Sequence, residues 1–293
     1  MKRLADRVAV VTGGAGGLGR ALGRRFAQEG MRVVLADVQA EPLAATVSDL
    51  RDEKLEVTGV VTDVTNYDSV QALRDKALQT YGAVHVVCNN AGIGAGAEGP
   101  IWEHEVNDWR WALAVNVWGV IHGINAFVPT ILAQGDEGHV INTSSGNGGL
   151  YPLPSTPQYA ATKAAVVTIT ECLYGQLQDS TDKVSASVLF PGPHMLRTGL
   201  FESWRSRPDE FAKQRPRKTP YMTYDEMEQM MKAAGVEVAY TPVEEVAERV
   251  VEALYADTFW IHPQNERSDD QLRARTESIL KRENPDYLRA VPG

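Results

Sequence analysis

The sequence is poor in cysteine, and long hydrophobic runs are missing from it. Its 293 residues include two cysteines, Cys88 and Cys172. Two thiols that both lie in apolar runs supply neither a disulfide framework nor a metal site. No stretch of about 18 residues is apolar throughout, so no membrane-spanning helix is predicted. The basic start of the chain leads into an apolar run too short for a signal peptide. We therefore expect a cytoplasmic protein.

An excess of basic residues is absent as well. The chain has 29 Lys and Arg against 38 Asp and Glu, a formal net charge of −9. This acidic balance argues against nucleic acid or an anionic membrane surface as the main partner. The 43% of hydrophobic residues is typical of an ordinary globular protein that builds a core without covalent staples.

Short apolar runs rich in β-branched residues recur along the chain and predict a parallel sheet. They are continuous rather than alternating, which is typical of strands covered on both faces. Helical patterns separate them, so right-handed βαβ units are expected. The sequence therefore predicts an α/β fold with a doubly wound, Rossmann-like parallel sheet. The predicted strands are 7–12, 31–37, 55–63, 83–90, 138–145 and 184–192.

The pattern changes after the last of these strands, although we expect one domain over 1–293. Residues 193–240 are rich in methionine, aromatic residues and arginine, and they predict a flexible apolar lid over a substrate. Residues 258–263 predict one more strand. The stretch 264–293 reads as a polar C-terminal tail with a short helix.

A helix is predicted over 241–257. Thr241 is expected to be its N-cap, with Pro242 at the first helical position and Glu244 completing a capping box.

Two polar stretches have simple interpretations. The basic run 203–218 is expected to be a solvated face or part of the lid, with pairing to an acidic substrate as the alternative. Residues 102–105 read WEHE, but no second cluster of histidine or cysteine accompanies them, so a solvated loop is favoured over a metal site.

A glycine-rich turn follows the first predicted strand and opens a helix. Gly13, Gly17 and Gly19 would allow the backbone to turn tightly and to approach a pyrophosphate at the helix N-terminus. Strand-to-helix turns often contain glycine without a ligand, but the strand–turn–helix context favours dinucleotide binding.

Asp37 ends the second predicted strand. A carboxylate there accepts hydrogen bonds from the adenosine ribose and repels a 2′-phosphate, whereas the alternative is an Asp that caps the next helix. No Lys or Arg lies within residues 12–19, although Arg20 follows directly. NAD is therefore predicted as the cofactor in preference to NADP.

Tyr159 and Lys163 lie four positions apart in an alanine- and valine-rich stretch, so a helix places them on one face. Taken alone, this short spacing is more typical of an ordinary helix whose lysine side chain extends to water.

Together these motifs resemble those of the short-chain dehydrogenase/reductase family, in its compact single-domain branch. A narrower likeness around residues 138–171 is to bacterial dehydrogenases that oxidise benzylic alcohols of lignin-type aryl ethers. The motifs occur in the order of the family: TGGAGGLG (12–19), TDV (62–64), NNAG (89–92), AVNVWG (114–119), INTSS (141–145), YAATK (159–163) and PG (191–192).

The resemblance implies roles for the catalytic residues. Tyr159 would exchange a proton with the substrate oxygen, and Lys163 would favour the phenolate and hold the nicotinamide ribose. Ser145 would hydrogen-bond the substrate oxygen, with Ser144 left open as an alternative. Asn116 would help to hold a water that leads protons to the lysine.

The resemblance also implies a cofactor site. The family often has a Thr about four residues after Gly192, whereas Thr198 lies six residues after it. A contact from Thr198 is therefore in doubt, and His194 is expected to be a loop histidine without a role, with contact to the substrate as the alternative. The implied cofactor residues are Gly13, Gly17, Leu18, Gly19, Asp37, Asp63, Val64, Asn90, Ala91, Gly92, Tyr159, Lys163, Pro191 and Gly192.

The resemblance implies an NAD-dependent oxidoreductase without a metal, working as a homodimer or homotetramer. The apolar and aromatic residues of the predicted lid favour a bulky hydrophobic, aromatic secondary alcohol or the corresponding ketone as its substrate. Alternatives are a steroid-type hydroxyl dehydrogenase, a catalytically silent NAD-binding sensor and a nucleotide-sugar epimerase or dehydratase. The retained Ser–Tyr–Lys set disfavours the sensor, and the glycine spacing disfavours the epimerase.

Overall fold

Parallel strands form the centre of this computed structural model, which describes residues 1–94, 100–215, 220–235 and 237–290. Within those ranges the strands are β1 (Val8–Thr12), β2 (Arg32–Asp37), β3 (Val57–Val61), β4 (Val86–Asn89), β5 (Gly138–Thr143), β6 (Val184–Leu189) and β7 (Trp260–Ile261). Their order is β3-β2-β1-β4-β5-β6-β7. At the centre, Val10 lies between Val34 and Val87. The strand order reverses between β1 and β4, where doubly wound sheets bind ligands.

Helices cover both faces of the sheet. Within the described residues they are α1 (Gly17–Gln28), α2 (Ala40–Asp52), α3 (Tyr67–Tyr81), α4 (Val106–Leu113), α5 (Gly119–Gln134), α6 (Pro157–Ser180), α7 (Tyr224–Ala233), α8 (Val243–Ala256) and α9 (Glu266–Lys281). One face carries α1, α2 and α8, with Phe26, Leu50 and Val250 buried against the strands. The other carries α3, α5 and α6, with Leu73 and Phe127 buried. The predicted doubly wound α/β fold in a single domain is confirmed.

The C-terminal third differs from the sequence predictions at two points. The N-cap of α8 is Pro242 and not Thr241, and no side chain caps the helix. The Thr241 hydroxyl instead accepts the backbone N–H of His194 at 3.1 Å, so it joins the segment after β6 to the start of α8. The predicted short helix of the tail is wrong in length, because α9 has 16 residues.

One continuous helical stretch, Val106–Gln134, is long and apolar enough by length and composition to cross a membrane. It comprises α4, a π-helical turn at Ala114–Trp118 and α5. The prediction from uninterrupted apolar runs overlooked this stretch because polar residues such as Asn116 divide it. In the structure 56% of its most apolar window is buried, as in the core helix of a sheet protein.

Candidate active site

The ends of β1 and β4 meet at the glycine-rich turn. Thr12 Oγ accepts the backbone N–H of Asn90 at 2.9 Å and that of Ala91 at 3.0 Å. The Asn90 side chain donates to Thr12 O at 3.0 Å. A Cβ on Gly13 would lie 3.0 Å from Ala91 Cα, and Gly13 has φ +69°. Glycine is therefore required where the β4 end approaches the turn.

The glycine-rich turn leaves the start of α1 open. Gly17 has φ +49°, and a Cβ on Gly19 would lie 2.0 Å from Gly13 O, so both positions exclude larger residues. Helix α1 begins without a side-chain cap and without an acidic residue in its first turn. Leu18 is 7% exposed and packs into the core below the turn. A helix N-terminus with unblocked N–H groups suits an anion.

Asp37 lies beside the same turn. Its Oδ2 atom accepts the N–H of Ala15 at 3.0 Å, and its Oδ1 atom accepts the N–H of Gln39 at 3.0 Å. The carboxylate is half-buried at the end of β2. It thus orders the glycine-rich turn and also binds the N–H of Gln39, the N-cap residue of α2, so Asp37 is not itself the cap of that helix. Its contact with the adenosine ribose stays a prediction.

Asp63 and Val64 follow β3. Asp63 Oδ1 accepts the backbone N–H of Thr65 at 2.9 Å and its hydroxyl at 2.8 Å, which fixes the turn. Val64 is 9% exposed. The Val64 side chain packs against Gly119, where an added Cβ would lie 3.0 Å from Val64 Cγ2.

Ser145, Tyr159 and Lys163 come together between the end of β5 and the start of α6. The side chains of Ser145 and Tyr159 share a hydrogen bond. Lys163 Nζ lies 5.6 Å from the centre of the Tyr159 ring and donates to Thr143 O at 2.8 Å. Helix α6, which carries Tyr159 and Lys163, begins with a proline, as suits the first position of a helix.

Burial changes the acidity of this pair. Burial raises the pKa of Tyr159 above its usual range, and the hydrogen bond from Ser145 opposes that rise. Burial lowers the pKa of Lys163 to about 8. Near neutral pH the buried ammonium is still mostly charged, so it would favour a phenolate on Tyr159 electrostatically.

The neighbouring serines have different surroundings. Ser144 is 1% exposed, and its hydroxyl donates to Lys163 O at 2.8 Å, inside α6. Ser145 is half-buried and faces Tyr159. Of the two serines that the sequence left open, Ser145 is the one in contact with the predicted acid/base.

Asn116 occupies the π-helical turn between α4 and α5 and is fully buried. Its Oδ1 atom accepts the N–H of Ile93 at 2.8 Å, and its Nδ2 atom donates to Ile93 O at 3.0 Å and to Thr162 Oγ at 3.1 Å. Both amide protons are therefore committed to the protein. The side chain of Asn116 therefore has no N–H left to donate to a water, and its predicted part in a water relay stays a prediction.

The segment after β6 reaches back to the glycine-rich turn. Pro191 and Gly192 are half-buried at its start, whereas His194 is exposed. A Cβ on Gly17 would lie 2.9 Å from both Cβ and Cγ2 of Thr198. The two extra residues before Thr198 thus place its side chain on the turn that is predicted to hold the pyrophosphate.

The two polar stretches differ from their simplest interpretations. Glu105, expected in a solvated loop, is 8% exposed and accepts the N–H of Gln214 at 2.7 Å, so the prediction is wrong for this residue. In the basic run, expected to be a solvated face or part of the lid, Arg207 is not on a solvated face, because it pairs through Nη1 with Asp108 Oδ1 at 2.7 Å and its side chain is 9% exposed. Residues 216–218 of that run lie outside the described residues. Sequence reasoning missed these carboxylates because their partners lie about a hundred residues away along the chain. No group of three or more His, Cys, Asp or Glu side chains in the described part of the chain could hold a metal ion.

The fold and this arrangement define a dinucleotide-binding α/β oxidoreductase. A model of the short chain dehydrogenases matches residues 7–209. The chain therefore belongs to the short-chain dehydrogenase family, as its motifs predicted, and acts on CH–OH groups.

Similar proteins support this assignment over most of the chain. A short chain dehydrogenase/reductase from Burkholderia phymatum, solved in complex with NAD, is 38% identical, with a TM-score of 0.86 over 97% of this chain and 98% of that one. The 1-deoxy-11-beta-hydroxypentalenate dehydrogenase of Streptomyces avermitilis is 38% identical over 64% of this chain and 69% of its own. The C alpha-dehydrogenase of Sphingobium sp. strain SYK-6 is 30% identical over 72% of this chain and 67% of its own.

Proposed function

We propose that the protein is an NAD-dependent dehydrogenase that interconverts a bulky hydrophobic secondary alcohol, of the aryl carbinol type, and its ketone. The observation that carries the proposal is the placement of Ser145, Tyr159 and Lys163 next to the strand end that also touches the glycine-rich turn. A Cβ on Gly92 would lie 3.5 Å from Lys163 Nζ and 3.4 Å from Asn116 Oδ1.

The residues fit a nicotinamide dinucleotide. Gly13, Gly17 and Gly19 add no side chain of their own between the turn and a pyrophosphate, and the start of α1, which no side chain caps, supplies N–H donors beside Thr198. Asp37 is a carboxylate at the end of β2, where it suits ribose hydroxyls and opposes a 2′-phosphate. Since the Burkholderia relative is solved with NAD, we assign NAD to this chain as well. When bound, the nicotinamide would supply hydride transfer.

The side chains of the protein handle the proton. We assign Tyr159 as the group that accepts the hydroxyl proton during oxidation and returns it during reduction. Ser145 would donate a hydrogen bond to the substrate oxygen. Lys163 would lower the cost of the phenolate, since a positive charge close to a phenol favours its ionised form.

The substrate proposal rests on the apolar residues after β6. Gly94 donates its N–H to Leu200 O at 3.3 Å, so this segment contacts the loop that follows β4. Trp204 stacks on Tyr221, with ring centres 4.6 Å apart. Phe201 and Met222 remain 45% and 46% exposed. Each such side chain covered by a ligand stabilises the complex by about 25 cal/mol per Å² of buried apolar area, and a short aliphatic alcohol cannot cover them.

A narrower resemblance favours an aromatic substrate. The motifs around Tyr159 resemble those of dehydrogenases that oxidise benzylic alcohols of aryl ethers, and C alpha-dehydrogenase of Sphingobium is among the relatives. The relatives also include a dehydrogenase of a hydroxypentalenate.

The test is turnover with NAD on a panel of secondary alcohols, followed by the absorbance of reduced nicotinamide. We expect kcat/KM for aryl carbinols to exceed that for propan-2-ol at least roughly tenfold, which is ~1.4 kcal/mol of transition-state binding. Steroid alcohols form the second arm of the panel. Equal or better efficiency with short aliphatic or sugar alcohols would contradict the substrate proposal.

A further inference from the structure

Residues 199–215, called here the 199–215 segment, fold against the N-terminus of α4. The segment begins with 3₁₀ turns at Gly199–Ser206 and Asp209–Phe211. Its first turn lies on the loop that follows β4, where Ser203 Oγ donates to Gly94 O at 3.4 Å. Its second half turns away and lies on the first turn of α4, where two carboxylates are buried.

Asp108 is the centre of this contact and is 5% exposed. Its Oδ1 atom accepts from Arg207 Nη1 at 2.7 Å, and its Oδ2 atom accepts from Lys213 Nζ at 3.0 Å. Arg207 also donates from Nε to Phe211 O at 2.7 Å. One carboxylate thus holds both ends of the loop 207–213.

Glu105 holds the next residues through their backbone. Its carboxylate accepts the N–H of Gln214 at 2.7 Å and that of Arg215 at 3.1 Å. Burial raises the pKa of Glu105, but the two N–H donors and Lys213 outweigh it and leave the pKa below its usual range. Glu105 therefore stays ionised at neutral pH and keeps both hydrogen bonds.

The contact continues into the active site. The guanidinium of Arg207 lies 5.1 Å from the centre of the Trp111 ring. Trp111 is 3% exposed and packs with Ile93 and with Phe211 of the segment. Ile93 is the residue whose N–H and C=O are both bonded to Asn116. The position of the segment is thus tied through packed side chains to the end of β4 and to the π turn.

A second route leads from the same loop to α6. His104 precedes Glu105, and its ring accepts a hydrogen bond from the side chain of Gln158. Gln158 is fully buried and directly precedes Tyr159. The residues that hold the segment therefore also contact the start of the helix that carries the predicted acid/base.

We propose that Asp108, supported by Glu105, is a positioning residue that holds the 199–215 segment closed over the substrate site. It would set the KM for bulky substrates without contacting them. The inference rests on the proposed function for its substrate, but the closure of the segment is a property of the protein alone. Removal of one partner from a buried ion pair leaves the other charges unpaired, which is strongly unfavourable, so the segment should open when Asp108 is neutralised.

The test uses Asp108→Asn, with Asp108→Glu as the conservative variant and Glu53→Gln as the matched control. Glu53 pairs with Arg24 at 2.7 Å on the surface between α1 and α2, away from the segment. For Asp108→Asn we expect at least a roughly tenfold rise in KM for an aryl carbinol, with kcat and NAD affinity within about twofold. Asp108→Glu should recover part of the loss, and Glu53→Gln should behave as the original protein.

Hydrogen–deuterium exchange gives a readout that does not depend on turnover. The amides of Gln214 and Arg215 should exchange at least about tenfold faster in Asp108→Asn, while those of β1 stay protected. If Asp108→Asn does not fold, Glu105→Gln is measured in its place, because it removes a charge but keeps one acceptor. Unchanged exchange and unchanged KM in the folded variant would overturn the proposal. The two proposals can also fail separately. If the intact protein oxidises no alcohol but the amides of Gln214 and Arg215 exchange faster in the variants, the closure of the segment is supported and the proposed function is contradicted.

Discussion

Lys163 Nζ lies 5.6 Å from the centre of the Tyr159 ring and is held there by the carbonyl of Thr143, the last residue of β5. The ammonium is therefore positioned by the sheet. Its location beside the phenol does not depend on a ligand.

Replacement of Lys163 by Met removes the charge and keeps much of the side-chain volume. We expect Lys163→Met to slow turnover and to weaken NAD binding, because the phenolate and the ribose both lose a cationic partner. Steady-state kinetics and isothermal titration with NAD measure the two effects. A variant that bound NAD normally and turned over normally would exclude Lys163 from the site.

Cofactor choice is predicted from Asp37. The intact protein should show a higher kcat/KM with NAD than with NADP. Asp37→Asn should lower kcat/KM with NAD. It should also reduce the ratio of kcat/KM with NAD to kcat/KM with NADP, since the 2′-phosphate of NADP is no longer repelled. Its loss of charge also weakens the hydrogen bond from the N–H of Ala15. A preference for NADP in the intact protein would show that this assignment is wrong.

Replacement of Ser145 should mainly affect turnover, whereas replacement of Ser144 should mainly affect stability. Ser145→Ala should lower kcat by about 10²–10³-fold, the usual effect of losing one hydrogen bond to a developing oxyanion, with only a small loss of stability from the bond that the N–H of Asn147 donates to Ser145 Oγ at 3.2 Å. Ser144→Ala should lower the free energy of unfolding by about 1 kcal/mol, since a buried hydroxyl loses its bond to Lys163 O. Kinetics and thermal unfolding of both variants check this pair, and the reverse pattern would favour Ser144 as the substrate-binding serine.

Stability should fall in mildly acidic solution because of His139. This residue is 1% exposed, and its Nε2 atom lies 2.6 Å from Ser187 Oγ. Burial lowers its pKa from 6.5 to about 4, although Asp257 opposes the shift. The imidazole of His139 thus binds a proton below pH 6.5 in the unfolded chain, but only below about pH 4 in the folded chain.

The stabilising contribution of His139 is therefore complete above pH 6.5 and is lost between pH 6.5 and 4. The loss is on the order of 3 kcal/mol. Urea unfolding across this range measures it. His139→Gln should flatten much of the slope, leaving the part that comes from His85, whose pKa burial also lowers. An equal slope in the variant would contradict the assignment.

Assembly remains a prediction from the family. A groove of about 300 Å³ runs between α5 and α6 and is lined by Ile121, Ile124, Ile169 and Leu173. Trp118, at the start of α5, is 53% exposed. We expect light scattering to show a dimer or tetramer at micromolar concentration and Ile169→Asp to reduce it to a monomer. A monomeric intact protein would contradict the prediction.

The sheet was predictable from the sequence because each strand carries its own signal. Residues 33–36 form a continuous apolar run, and Val33, Val34, Leu35 and Ala36 of β2 are each at most 1% exposed. The glycine-rich turn was predictable for the same reason, since close approach of two backbone segments requires glycine at fixed positions.

Contacts made by the side chains of distant segments were not predictable. Arg207 and Lys213 lie 99 and 105 residues beyond Asp108, and nothing in the basic run identifies which carboxylate each cation meets. Thr241 has the sequence context of a helix cap, but its hydroxyl accepts a hydrogen bond from the N–H of His194 instead. The local sequence pattern predicts the secondary structure of each segment. Which polar side chains become buried depends on which segments pack together, and the local pattern does not show that.

The most direct test of the account is Tyr159→Phe, assayed for NAD binding and for oxidation of an aryl carbinol. The change removes only the titrating oxygen. We predict an NAD dissociation constant within about twofold of the original and a kcat lower by about 10²–10⁴-fold, the typical contribution of general acid–base catalysis. Near-normal turnover by Tyr159→Phe would contradict the assignment of Tyr159 as the acid/base and, with it, the proposed mechanism.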